Sequence, residues 1–570
     1  MRLPNLIATR KGRLAAFFLL YVTEGIPLGF AATAVATQLR RMDVSPAEIG
    51  AFVASLYLPW AFKWAFGPLV DVFAIERFGR RRGWIIVTQI LLAATLMSTM
   101  LIPLPEKLGL FTAVLLVHNT FGAMQDVAID ALAVGTLHED ERGLANGMMF
   151  AGASVGQAVG GAGVLLLAGY TGFQSTFVFV ACAILAVTLF VVLPMREPPG
   201  PPRPARTAGV SPLRAALGEM RAFSVDSFRA FLGTRGAYAA VLFALLPMSA
   251  MALSLSLQSN LAVELGFDDD QLALLNLWAV LVNGVFTVIG GYLSDIFGRR
   301  RTLALFTALM TPPTIWLAIE LQKYGWVMPV DVSAPNRPAV PAALVTAMWI
   351  AVIAYNVGQG LMYGVRSALF MDVTNPRVAA TQFTAYMALM NLGIAYSAAW
   401  QGIAAEWIGY PKTLWIDAIF GLACLVLLPW IVGTPGNTPD GGAPKRARFT
   451  ALLFGLGCLA WLPYRLSPDA LGQGRPIAEI VFTVVFVGAA LFLLAGAAVL
   501  APQRGHALLR AGAWLAPLLL AMYARRWQAQ LPQVFESLFL VVPLIGAALL
   551  LALAWRSWRE LDDNNPAGAA

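Results

Sequence analysis

The chain has 570 residues, of which 59% are hydrophobic and only 12% charged, with a mean hydropathy of +0.71. A soluble domain is about 25% charged, and a chain of this length would split into several domains that each need a polar coat. The composition therefore excludes an ordinary soluble globule and a disordered chain, while the net charge of +8 leaves either a nucleic-acid partner or basic loops at a membrane surface to be decided by placement.

The N-terminus carries Arg2, Arg10, Lys11 and Arg13, then an apolar stretch to about residue 35. That stretch exceeds a signal-peptide core and reads as an uncleaved first span. A bilayer core takes about 20 apolar residues per helix. This window predicts twelve spans, at residues 14–35, 46–70, 84–103, 109–134, 144–168, 173–194, 238–262, 271–293, 302–322, 341–366, 379–404 and 411–432. Apolar runs at 449–464, 477–500, 507–523 and 533–555 predict two to four more, with Arg525 and Arg526 placed awkwardly among them. None of these runs alternates polar and apolar as barrel strands do. The expected fold is an all-α polytopic membrane protein, divided as a six-helix half (1–195), a linker (196–237), a second six-helix half (238–433), a polar linker (434–448), additional helices (449–556) and a polar tail (557–570). The first linker opens on Pro198, Pro199, Gly200, Pro201 and Pro202 and continues as an amphipathic helix. Cys182, Cys424 and Cys458 lie singly in apolar runs, so neither a disulfide framework nor a zinc site is expected.

With the N-terminus in the cytoplasm, inner segments up to residue 448 hold 24 lysines and arginines and outer loops hold 6. The positive-inside rule accepts that orientation. It also removes the need for a nucleic-acid partner and leaves membrane lipids as the basic loops' neighbours.

The two halves repeat. Gly67, Asp71 and Phe78-Gly79-Arg80-Arg81-Arg82 after span two recur as Gly291, Asp295 and Phe297-Gly298-Arg299-Arg300-Arg301 after span eight. Glu141-Arg142-Gly143 before span five is echoed by Pro376-Arg377-Val378 before span eleven. Repeated six-helix halves are a transporter architecture. The doubled Gly-x-x-x-Asp and Gly-Arg-Arg pattern resembles the major facilitator superfamily. Further stretches, Glu24-Gly25-Ile26-Pro27-Leu28-Gly29, Leu58 to Asp71 and Gln125-Asp126-Val127-Ala128-Ile129-Asp130, are similar to its AmpG-like branch of muropeptide permeases and acetyl-CoA transporters, over roughly residues 14–435. The resemblance implies a monomeric permease of the bacterial inner membrane that imports anhydro-muropeptides, sugar-peptides of the cell wall, on a proton gradient and without a bound cofactor. A siderophore or acetyl-CoA permease is the alternative within the superfamily.

Ionisable groups inside spans are costly and mark cavities or partners. Glu24 lies beside Gly25 and Pro27, which are expected to weaken the helix and open a site at mid-depth. On span four, His118, Gly122, Asp126 and Asp130 follow one face at every fourth residue. Glu24 and Asp126 are the expected proton-coupling groups, with Lys63 as counter-charge. Lys63, His118, Gln125, Tyr355, Asn356, Gln359 and Asn391 are the expected substrate contacts, because amides and aromatic faces suit sugars and peptides. Asp71, Arg80, Arg81, Arg82, Asp295, Arg299, Arg300 and Arg301 are the expected latch, and Asp130 is assigned to it with the first arginine trio. Arg366 would hold a substrate carboxylate or join the inner gate. With four acidic groups against Lys63, His118 and Arg366, a weakly anionic sugar-peptide suits the cavity better than a phosphorylated thioester. There is no GxxxxGK[ST], HExxH or GxSxG, so neither ATP drive nor those hydrolytic chemistries are expected. A membrane-embedded transferase would have to use His138 with Glu139, Asp140 and Glu141.

Overall fold

The computed structural model describes residues 5–42, 44, 52, 56, 58–61, 63–73, 79–197, 218, 225–330, 338–433, 439–467, 471–500, 507–522, 525 and 534–555. Among these, 13 helices are long and apolar enough to cross a membrane. Ten fall on spans expected before residue 434. Part of span two, residues 46–51, 53–55, 57 and 62, lies outside the described residues. Its described parts are Leu58–Ala61, the turn Lys63–Ala65 and Gly67–Val72. Most of the first linker and the whole polar tail also lie outside.

Span seven departs from expectation. A continuous helix was predicted over 238–262, but Arg235–Leu245 stops and Ser256–Glu264 resumes after a short turn, Ala252–Ser254. Pro247 accounts for the break: it lacks an amide proton and disfavours helical geometry in the residue before it. Leu246 is accordingly extended (φ −87°, ψ 151°). Ser249 turns the chain at φ +73°. Away from water, the backbone groups freed by the break need new partners. The Asp417 carboxylate accepts from the Met251 and Ala252 amides at 2.7 and 2.9 Å, and from Gln401 Nε2 at 2.7 Å. The Ser249 amide donates to Gly421 O, and the Tyr355 and Tyr396 hydroxyls donate to Ala250 O and Leu245 O.

Spans one (Arg10–Gly29) and five (Arg142–Ala158) cross backbone to backbone. A Cβ on Gly156 would come within 3 Å of Val22 O and Gly25 Cα. Small residues at four-residue spacing permit such contact where lipid supplies no hydrophobic drive. The same device joins the halves, because a Cβ on Gly143 would collide with Gly291 O and the side chains of Ser294 and Asp295.

Beyond residue 439 come Ala443–Leu459 with Trp461–Leu466, Arg475–Leu500, Ala507–Ala521 and Val534–Trp555. They share a core around Trp461, Phe486, Leu493, Leu519 and Leu550. Arg525 is no anomaly here. It pairs with Glu479 and stacks 4.5 Å over the Trp461 ring. At the joint, Asp440 pairs with Arg446 and accepts from the Arg235 amide. Burial alone would raise the Asp440 pKa, but Arg446 and the surrounding amides hold it below the usual carboxylate range.

Replacing Asp417 tests the clamp on span seven. Asp417→Ala leaves two buried amides and Gln401 without an acceptor, and should cost about 2–5 kcal/mol, read as a clear fall in Tm. Asp417→Asn keeps one oxygen for the amides while Gln401 turns its own oxygen toward the new amide, so most of that loss should be avoided. Equal Tm values for Ala and Asn variants would refute the clamp.

Candidate functional site

The polar stripe on span four (Leu108–Thr136) meets span one and the Lys63 turn inside the first half. Lys63 Nζ lies 2.8 Å from Asp126 Oδ2, and both side chains are buried. Glu24 is within electrostatic reach of Lys63, Asp126 and Asp130. Its Oε2 is buried with no hydrogen-bond partner among the described residues. Asp130 keeps different company from that expected. It accepts from the Tyr21 hydroxyl at 2.6 Å, and the arginines after span two turn elsewhere. The reason is position on the helix: Asp130 continues the Asp126 face into the bundle rather than out toward the loop.

Glu24, Trp60, His118, Asn119 and Gln125 line one small cavity. His118 Nδ1 faces Leu92 O at 3.0 Å, leaving Nε2 toward the cavity without a partner among the described residues. Gln125 and Gln89 both donate to Thr23 Oγ1 at 3.2 Å. Glu24 does not sit in a broken helix. Arg10–Gly29 runs through Pro27 and loosens only afterwards, in the π-helical turn Phe30–Val35. Pro27 removes only one bond, to the carbonyl of Thr23.

The second half places its expected contacts less uniformly. Tyr355 is fully buried, and its hydroxyl braces the span-seven break through Ala250 O and Ser254. Asn356 donates to Val352 O in its own helix, Gln359 accepts from Asn283, and Asn391 is exposed.

At the arginine-rich end, each repeat carboxylate caps a helix of the opposite half. Asp71 accepts from the Thr381 amide and hydroxyl at 3.0 and 3.1 Å, at the start of span eleven. Asp295 accepts from the Gly143 and Leu144 amides at 3.0 and 2.8 Å, at the start of span five. These amides have no partner within their own helix and carry its positive dipole end. Arg81 lies 3.6 Å from Asp71 and also reaches Glu197. Arg299 pairs with Asp295 and, at 2.5 Å, with Asp372, which also takes Arg142 at 2.8 Å. The trios are not uniform. Arg80 donates to Asp71 O, Arg82 to Val192 O, and Arg300 to Pro429 O. Arg301 is exposed on the rim of a cleft of about 1160 Å³.

Sequence reasoning missed Asp372, Tyr21 and Glu197, and noted Glu141 without its role. Glu141 forms a two-pronged buried pair with Arg13 at 2.5 and 2.9 Å, which ties the N-terminus to span five. The Glu141-Arg142-Gly143 echo was the available signal for this end. Nothing marked Tyr21 or Asp372 apart from lying near a span end or a glutamate.

A family model described as Major Facilitator Superfamily matches residues 14–259 and 239–560. The chain is 25% identical over 427 residues to an anhydromuropeptide permease of Escherichia coli K12, covering 73% of this chain and 79% of that protein. It is 24% identical over 436 residues to an uncharacterized protein of Haemophilus influenzae, covering 75% and 96%. Among solved structures, the proton:xylose symporter XylE bound to 6-bromo-6-deoxy-D-glucose superposes with a TM-score of 0.53 at 13% identity, covering 77% of this chain and 99% of that one. That likeness establishes the fold.

Two variants probe this geometry. Lys63→Ala strands Asp126 beside two other carboxyl groups, and should destabilise by about 3–5 kcal/mol. Lys63→Met combined with Asp126→Leu should recover most of that loss, and a double variant as unstable as Lys63→Ala would refute the pairing. Asp295→Ala removes the cap on span five, so a cysteine placed at Ser294 should react faster with a water-soluble maleimide; an unchanged rate would show that the cap does not hold this end shut.

Proposed function

We propose, from the premise that the chain belongs to the major facilitator superfamily, that it imports anhydro-muropeptides across the bacterial inner membrane, driven by protons. Members of this superfamily are multi-pass transporters, and this chain carries the corresponding helices. The observation that carries the reading is the buried cluster in the first half, where one lysine stands among three carboxyl groups. Fully ionised, Glu24, Asp126, Asp130 and Lys63 would hold two uncompensated negative charges away from water, a costly state. Taking up a proton relieves it, and Glu24, with an oxygen lacking a partner, is the group best placed to do so. The Lys63–Asp126 pair responds to that proton because it shares the site.

With 24 inner against 6 outer basic residues, the N-terminus and the arginine-rich end face the cytoplasm. In this conformation the Asp71, Asp295 and Asp372 contacts tie the halves together at that end. The site is then reached from the outer side. Proton and substrate bind, the halves (1–195 and 238–433) rock, the helix caps separate, and the site opens inward. Coupling requires both ligands to favour the same change, since a ligand shifts an equilibrium only by its differential affinity.

The substrate class rests on similarity to a permease with that name, since the first-half cavity is about 10 Å³ in this conformation, room for about one water. His118, Asn119 and Gln125 offer neutral polar groups suited to sugar hydroxyls and peptide amides. A thioester with several phosphates would call for several free cations, whereas Lys63 is already paired and Arg366 is a single charge.

Inverted or right-side-out vesicles with an imposed pH gradient test this. Labelled anhydro-muropeptide should accumulate only with the outside acidic, and Glu24→Gln should abolish the gradient dependence while leaving downhill exchange. Accumulation indifferent to the gradient would overturn proton coupling. No uptake beyond that of empty vesicles would overturn the substrate.

A further inference from the structure

Span ten (Ala342–Asp372) carries a second polar stripe that the cluster above does not use. Asn356, Gln359, Tyr363 and Arg366 recur at three- and four-residue steps and share one helix face. The opposite side of the helix, at Ile350 and Ala354, is exposed as a bilayer-facing surface would be. The stripe itself turns to the other half, since the Tyr363 ring meets Phe150 of span five edge-on, with centroids 5.4 Å apart. Phe150 in turn touches Tyr21, whose hydroxyl binds Asp130. A chain of touching aromatic rings thus runs from the acidic cluster of the first half to Arg366 of the second.

Arg366 is 6% exposed, and its guanidinium stacks 4.3 Å over the Tyr363 ring. Its Nε has no partner, and no carboxylate pairs with it among the described residues. Arg13 and Arg81, the other arginines buried as deeply among the described residues, each have an acidic partner in place. A buried cation without a counter-ion is expensive, and inside a membrane it marks a pathway rather than a packing position. The π face of Tyr363 compensates only in part.

We propose that Arg366 is the anion anchor of the second half, and that it receives a carboxylate of the transported solute as the halves close on it. The planar fork of arginine suits a carboxylate with two parallel hydrogen bonds. The solute would then bridge the two halves, with its carboxylate on Arg366. This rests on the transport reading above and narrows it to solutes bearing a carboxylate.

The test is equilibrium binding to the full chain in lipid nanodiscs, with anhydro-muropeptide as the acid and as its carboxamide. Wild type should prefer the acid by about tenfold or more, the worth of one charge-assisted pair. Arg366→Gln should lose that preference while binding the carboxamide as wild type does; Arg366→Lys should recover part of it. An acid preference that survives in Arg366→Gln overturns the anchor. A variant that fails to fold is replaced by phenylglyoxal labelling of wild type, read by mass spectrometry. Modification of Arg366 that the acid form blocks supports the proposal, and an unreactive Arg366, or one reacting equally with ligand present, overturns it. Should wild type bind neither form, the muropeptide reading falls. Arg366 is then judged by labelling with simple peptide carboxylates as protectants, where protection supports the anchor and its absence overturns it.

Discussion

A charge inside a bilayer has to be matched by protein, because no water is there to do it. Lys63 and Asp126 form the match on which the first half depends. Their 2.8 Å contact permits two further carboxyl groups nearby. Removing the lysine would strand three acids. Removing the acids would strand a cation. Neither half of the pair is useful alone, and the surrounding elements are arranged to keep both in place: the glycine seam of spans one and five holds Glu24 against span four, and Tyr21 fixes Asp130.

The same rule shapes the arginine-rich end, with helix dipoles replacing lysine. Asp71 and Asp295 each donate negative charge to the opened N-terminus of a helix in the other half. Such an interaction is strong only while the halves touch, since its partners are backbone amides of a separate body. The glycines at the seam matter for this reason. Gly143 lies so close to Gly291 that any side chain would move the capped amides away from Asp295. Packing and electrostatics at this contact therefore depend on each other.

Much of the fold was legible because lipid imposes a length and an apolar composition on every span. The Lys63–Asp126 pair was legible too, because only a handful of charges lie inside spans. Span seven was not. Its composition is apolar throughout, and a hydropathy window weighs Pro247 little, although the backbone treats it as a stop. The clamp that makes the break tolerable, Asp417, comes from a helix more than 150 residues away, and no local pattern reports such a contact. Asp130 was misread for a related reason. Sequence gives its height along the helix, but whether that height faces arginine or tyrosine depends on neighbours that only packing defines. Tyr355 looked like a ligand because aromatics suit sugars, yet its hydroxyl is consumed by the carbonyl that the span-seven break exposed.

The helices beyond residue 439 follow from the same considerations. They bury Arg525 between Glu479 and Trp461 and so satisfy their own charge internally. Their attachment to the rest runs through the Tyr238–Thr450 hydrogen bond, through Phe228 and Leu232 of the linker, and through Gly474 against Trp407 of span eleven. All of these contacts lie from residue 196 onward. The caps between the halves join residues 71, 143 and 144 to residues 381 and 295. Among the described residues, the added helices thus attach through the linker and the second half and take no part in those caps.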